Sequence, residues 1–263
     1  MEKISDQEES FEWLSYVKER SAETKKFTTK DKSARPIILE WIKTDIQSST
    51  LAAFKKNICE LACQVLAPIE VEFLKTYPHA VSQELFLKPC KPFFEQGLEA
   101  VDWQSVKEKI QSTMRQFYLT DLSSFGAAVI KPLLDDVYFL VALKDKESET
   151  LLGFTMLAVT PALPFGNVKI INIALIPEEK DSGLEQLLMS SIFTIIPQVK
   201  RIFLFIRPTN DTALKAYQNW GFVQDPNPIQ DPNHQVNREY LTFLEYKTEH
   251  SNILQKVAET FLD

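Results

Sequence analysis

The sequence predicts an α+β chain: a mixed, mostly antiparallel sheet flanked by helices, with an N-terminal helical extension before it. Three observations predict this. Four apolar runs of strand length, "VYFLVALKD", "LLGFTMLAVTP", "VKIINIALIP" and "KRIFLFIRP", fall in the second half. Segments with apolar residues at helical spacing stand among them. The first third, by contrast, carries mainly helical periodicity. Such an order of elements gives a sheet with helices on its faces. Residues 1–84 are expected as the helical extension and 85–263 as the sheet domain.

The elements follow in order. "ESFEWLSYVKER" sets Phe11, Leu14 and Val17 on a helical face, and the hydrophilic "KKFTTKDKSAR" after it reads as a loop. "STLAAFKKNICELACQVLAP" aligns Leu51, Phe54, Ile58, Leu61, Ala62 and Val65, with Ser49 or Thr50 as cap and Pro68 past its end. "ELFLKP" is a candidate first strand. "DWQSVKEKIQSTMRQFYLTDL" is an amphipathic helix capped by Asp102, with Val106, Ile110, Met114 and Phe117 inward. "VYFLVALKD" and "LLGFTMLAVTP" form an antiparallel hairpin around the polar "KESET", which lacks Gly. "VKIINIALIP" is apolar almost throughout, as a strand buried on both faces is. A helix from Gly183 runs until Pro197 stops it. "KRIFLFIRP" is the next strand, "REYLTFLEYK" the last, and "HSNILQKVAETFLD" a closing helix.

Composition bounds the function. At 44% hydrophobic and 25% charged residues the 263-residue chain reads as an ordinary globular protein. A formal net charge of −7 argues against a nucleic-acid partner, and it tolerates an amine substrate without demanding one. The longest apolar stretch, "LLGFTMLAVTPALPFG", is too short and too broken for a membrane span. The acidic start "MEKISDQEES" is unlike a secretory signal, so a cytoplasmic location and no membrane partner are expected. Cys59, Cys63 and Cys90 read as buried thiols of a reducing compartment. His79, His234 and His250 have no ligand spacing, so no metal is expected.

Two junctions carry the chemistry. After "VKIINIALIP" the chain turns into a helix at Gly183, and helix-start amides can hold a phosphate there. Gly lets the backbone approach such a group closely. Taken alone, this is also how an ordinary turn looks. The second junction is "RPTNDTALKAYQNWGF", with Asn210, Ala213, Tyr217, Gly221 and Phe222 at offsets 0, 3, 7, 11 and 12. Two helical turns put Asn210 and Tyr217 on one side of a helix that Gly221 ends. On periodicity alone Tyr217 reads as a half-buried core aromatic before it reads as a site residue.

Together, "LIPEEKDSGLEQLL" and "FIRPTNDTALKAYQNWGF" resemble the cofactor-binding core of the GNAT acetyltransferase superfamily. That family carries a Gln/Arg-x-x-Gly-x-Gly/Ala turn after a central strand and an Asn…Ala…Tyr…Gly-Phe helix later. The resemblance covers about residues 137–222. It implies a GNAT-like fold and an acyl-CoA-dependent N-acyltransferase that uses acetyl-CoA on a small-molecule or protein amine by direct attack. It implies a splayed parallel pair made by the strands at 170–176 and 202–207. It assigns Tyr217 as general acid toward the departing thiolate, and the main chain of Ile173 and Leu175 to the pantetheine. The turn Lys180, Asp181, Ser182, Gly183, Leu184 and Glu185 is assigned to the pyrophosphate, and Asn210 to the pantetheine arm. Lys180 stands where Gln or Arg is usual, and Glu185 replaces the second small residue. Lys169 falls where some members carry a Glu base. Asn172 can position a water. These departures leave an alternative open, a catalytically inactive GNAT-fold binding or regulatory module.

Overall fold

Two strands stand where the sequence predicted a loop and helical chain. The computed structural model describes residues 12–13, 15–19, 25–43, 49–84, 86–120, 137–159, 164–180, 182–225 and 240–261. Strand β1 (Lys25–Lys30) pairs antiparallel with β2 (Pro36–Lys43). Phe27 and Thr29 turn inward from a segment whose other residues are Lys and Thr. Opposite them Ile37, Leu39 and Trp41 alternate, each fully buried. Period-two burial makes the strand, and β1's lysines blunt an exposed sheet edge. Because β2 pairs with a strand beyond residue 137, the sheet crosses the expected division at 84/85.

Helix α1 (Ser49–Thr76) continues through Pro68 instead of ending there. A helical Pro costs about 3 kcal/mol in lost hydrogen bonding and clash. The buried Val71, Phe73 and Leu74 beyond it supply the packing that carries the helix on. The short α2 (Ala80–Gln83) and two 3-10 segments, Lys88–Phe94 and Leu98–Ala100, take the place of the predicted strand. Pro89 and Pro92 lack the N–H that a ladder needs. Helix α3 (Trp103–Thr120) starts as predicted, with the Asp102 carboxylate accepting the Gln104 amide at 3.0 Å. Val106, Ile110 and Met114 are buried, in one cluster with Ile58, Leu61 and Ala62 of α1. Phe11, Leu14, Leu85 and the side chains of Leu51, Phe54 and Phe117 lie outside the described residues.

The remaining strands are β3 (Val137–Asp145), β4 (Leu151–Val159), β5 (Asn167–Leu175), β6 (Arg201–Ile206), β7 (Val223–Gln224) and β8 (Thr242–Lys247). Helices α4 (Leu184–Ile195), α5 (Asp211–Asn219) and α6 (Ile253–Ala258) complete the described elements. The predicted hairpin is β3–β4. Its turn manages without Gly because Glu149 adopts φ 57 and Asp145 accepts amides from Glu147 and Ser148. The sheet order is β1-β2-β3-β4-β5-β6-β8-β7. Every neighbouring pair is antiparallel except β5–β6, so the sheet is mixed and mostly antiparallel as predicted.

Each face of the sheet is covered. One carries α4, α5, α6 and the helical Trp13 and Val17, over Leu39, Trp41, Val141, Val168, Ile170 and Ile202. The other carries α1 and α3, over Leu140, Ala142, Phe154, Met156 and Ala174. The three cysteines are buried in this second layer, and burial pushes the Cys63 thiol up to about 12 and Cys90 to about 11. They are packing residues rather than nucleophiles. Among the described residues, no helix is long and apolar enough to cross a membrane.

Candidate active site

The sheet splits between β5 and β6. The two strands pair in parallel only at Asn167, Val168 and Lys169, opposite Arg201, Ile202 and Phe203. From there β5 stays with β4 up to the Gly153–Leu175 pair, while β6 stays with β8 up to Ile206–Thr242. The cause sits next to the last shared pair. In β5 the register to β4 shifts, so that Met156 faces Asn172 and Leu157 faces Ile170, leaving Ile171 as an extra residue. Such a bulge bends and overtwists its strand. Residues 171–173, now without a neighbour strand on one side, are half-buried where 167–170 are buried.

The exposed edge offers main-chain groups in a defined order. The Ile176 amide donates to the Leu152 carbonyl at 2.8 Å, and Phe154 faces Ala174. By antiparallel alternation, Ile173 and Leu175 turn their N–H and C=O groups away from β4, into the split.

At the mouth of the split, the chain from β5 makes a 3-10 turn, Pro177–Glu179, and enters α4 at Gly183. Gly183 has φ 85, and a Cβ there would stand 2.6 Å from Lys32 Cε. The positive φ is what favours glycine, since the Lys32 tip could swing aside. The Ser182 hydroxyl donates to the Glu179 carbonyl at 2.6 Å and accepts the Leu184 amide at 3.3 Å. Lys180 is exposed, and Asp181 lies outside the described residues. Lys32 and Arg35, from the β1–β2 turn, were not signalled by the sequence. Arg35 donates two bonds of 2.7 Å to the Glu179 carboxylate across 144 residues, and such a separation leaves no local trace.

Helix α5 explains most of its own motif. The Asn210 side-chain oxygen accepts the Ala213 amide at 3.3 Å, an N-cap. At the other end, Gly221 has φ 93 and its amide donates to Gln218 O, while the Phe222 amide donates to Tyr217 O. This is the Schellman pattern, and the Phe222 ring against Tyr217 at 5.4 Å is its hydrophobic contact. The offsets of Asn210, Gly221 and Phe222 are therefore those of a doubly capped helix. The Tyr217 ring also packs edge-on against Trp220 at 5.3 Å. Its residual exposure is 5%, so the ring is core and the hydroxyl is what packing leaves unexplained. Burial, and after it the charge of Glu185 on the first turn of α4, push this phenol above its ordinary value.

On the far side of the split, Arg207 follows β6 directly. Its guanidinium binds Glu70 of α1 and Glu84 together, at 2.6 to 3.1 Å, and lies 4.0 Å over the Phe73 ring. Lys169 is buried, with its ammonium 5.4 Å from the Phe205 ring. Asn172 accepts the Thr155 hydroxyl at 3.1 Å through its carbonyl.

Solved structures similar to this chain include N-acetyltransferases. The PaiA N-acetyltransferase from Thermoplasma acidophilum, in complex with coenzyme A, shares 13% identity over 80% of this chain and 98% of its own, with a TM-score of 0.42. The ribosomal-protein-S18-alanine N-acetyltransferase from Escherichia coli shares 19% over 42% and 68%, with a TM-score of 0.32. A spermidine N-acetyltransferase from Vibrio cholerae shares 15% over 59% and 78%, with a TM-score of 0.34. No protein-family model and no curated protein matches the chain.

Proposed function

We propose that the chain is an acyl-CoA-dependent N-acyltransferase that moves an acetyl group from acetyl-CoA to an amine by direct attack. The observation that carries this reading is the split of β5 from β6 after Lys169, with the start of α4 at its mouth. A sheet gives up main-chain pairing in its interior only where something else takes the exposed groups. An extended, amide-bearing arm such as pantetheine suits the free edge at Ile173 and Leu175. A phosphate suits the first-turn amides of α4, beside the Lys32 side chain that lies against Gly183. In this reading Lys180, Asp181, Ser182, Gly183, Leu184 and Glu185 form the pyrophosphate turn, and Asn210 borders the arm while capping α5.

Acetyl-CoA would supply the activated acyl group, and the chain's own residues bind, orient and donate. Tyr217 is assigned to the departing sulfur, as a neutral phenol donor. The Glu185 carboxylate works against a pyrophosphate by about 1 kcal/mol at 4 Å in water, and more where water is excluded. That cost favours a weaker cofactor site, and it leaves the inactive binding module as the second reading.

Calorimetric titration with acetyl-CoA, followed by thiol release in the presence of amines, tests the proposal. Binding with turnover is expected, and ligand at 100 times Kd should stabilise the fold by about 2.7 kcal/mol. Binding without turnover on any amine favours the inactive module. No binding at millimolar acetyl-CoA refutes the enzyme reading and favours the inactive module strongly.

A further inference from the structure

We propose that Arg35 is a positioning residue of the acyl-CoA site: through Glu179 it holds the turn Pro177–Glu179, and with it Ser182, in the position that presents the start of α4. The inference rests on the N-acyltransferase reading above. Its geometry is a chain of contacts from the β1–β2 turn to that helix. The Asp31 carboxylate, 2% exposed, accepts the Ser33 amide and hydroxyl, the Arg35 amide, and Arg35 Nε at 2.9 Å. Burial alone would raise the Asp31 carboxyl, but these bonds outweigh it and hold it below the usual carboxylate range. Arg35 is thereby fixed before it reaches Glu179.

The Arg35 fork then meets both Glu179 oxygens at 2.7 Å, a pairing that sets orientation as well as distance. The Glu179 carbonyl in turn accepts both the amide and the hydroxyl of Ser182, and that hydroxyl accepts the first amide of α4. A second contact closes the same turn from above, where the Lys32 stem lies against Gly183. A turn entering a helix through a positive-φ glycine is intrinsically loose. Tethered at Glu179 and covered at Gly183, it is ordered in advance, and a ligand does not bear the cost of ordering it. Cutting the tether transfers that cost to binding and leaves the chemistry untouched.

Two substitutions in the full-length chain separate this role from a merely structural one. Glu179→Gln removes the charge and one arm of the fork but keeps the Asp31–Arg35 turn. Arg35→Lys keeps the charge but loses the fork. In each, Kd and KM for acetyl-CoA should rise about tenfold, a change of about 1.4 kcal/mol, with kcat within about twofold of wild type. The double variant should be little worse than either single, because both cut one link. Wild-type Kd in both singles, or a fall in kcat at unchanged KM, overturns the inference and leaves the enzyme reading standing. A wild-type chain that binds no acetyl-CoA overturns the enzyme reading and this inference with it.

Discussion

Tyr217→Phe isolates the hydroxyl that packing leaves unexplained. The substitution keeps the ring contacts to Trp220 and Phe222, so the buried apolar surface is unchanged. Stability should stay within about 1 kcal/mol of wild type, or about 4 °C in Tm for a chain of this size. The kinetic effect follows from the environment of the phenol. A thiol of the cofactor kind titrates near 8.5 and an ordinary phenol near 10, and burial with the Glu185 charge moves Tyr217 further up. Full proton transfer to the thiolate is then uphill by at least about 2 kcal/mol. The useful contribution is a hydrogen bond to the forming thiolate, worth about 1.5–3 kcal/mol, so kcat should fall roughly 10- to 10²-fold. Steady-state thiol release reads kcat, and calorimetry should show acetyl-CoA affinity within about twofold of wild type. The pH dependence has a definite sign. A folded value above the unfolded one contributes stability that is complete below about pH 10 and is lost as pH rises beyond it. Wild type should therefore lose stability relative to the Phe variant only above about pH 10, and kcat should show no falling limb from this group below that pH. Unchanged kcat in the variant would refute the donor role. A loss of several kcal/mol with full activity would make the hydroxyl a structural bond.

Two further perturbations test the surroundings of the split. Glu185→Gln removes a like charge from the proposed pyrophosphate turn, and acetyl-CoA should bind about fivefold more tightly by calorimetry, the equivalent of about 1 kcal/mol; unchanged affinity would mean that the carboxylate acts on Tyr217 alone. Arg207→Met leaves Glu70 and Glu84 facing each other without their cation. With both carboxylates partly solvated, the low end of the range for a broken buried pair, about 3 kcal/mol, applies, or roughly 6–12 °C in Tm. An unchanged melting curve would show the cluster to be inert.

What the sequence made legible was the part built from local signals. Strands β3 to β6 and helices α3 to α5 follow from apolar periodicity and caps, and the splayed parallel pair was expected from the family resemblance of the two quoted motifs. Asn210, Gly221 and Phe222 were readable because capping is written within one helix. The first sheet edge was not. In "KKFTTK" one aromatic residue and one Thr suffice for an edge strand, and lysine on the outer positions mimics a solvated loop. The signal for β2 was present in Ile37, Leu39 and Trp41, whose alternation is a strand pattern. Pro68 misled for the opposite reason, since tertiary packing on α1 overrides a local stop. Arg35–Glu179 and Arg207 with Glu70 and Glu84 join residues more than 120 positions apart, which no periodicity encodes.

Those long-range ion pairs bear on how a split sheet keeps its shape. Where β5 and β6 part, each strand loses the neighbour that would hold it at a fixed distance from the other. The β5 side is held through the turn that follows it, by Arg35 on Glu179. The β6 side is held at its own end, by Arg207 on α1 and on Glu84 just after α2. Both partner elements, the β1–β2 turn and α1, come from the first third of the chain, which carries no catalytic pattern of its own. Two arginine forks, one per wall, are the economical solution, because a bidentate pair fixes angle and distance where a single apolar contact fixes neither. The helices and edge strands of the first third are in this sense a frame, tied by one arginine fork to each wall of the split.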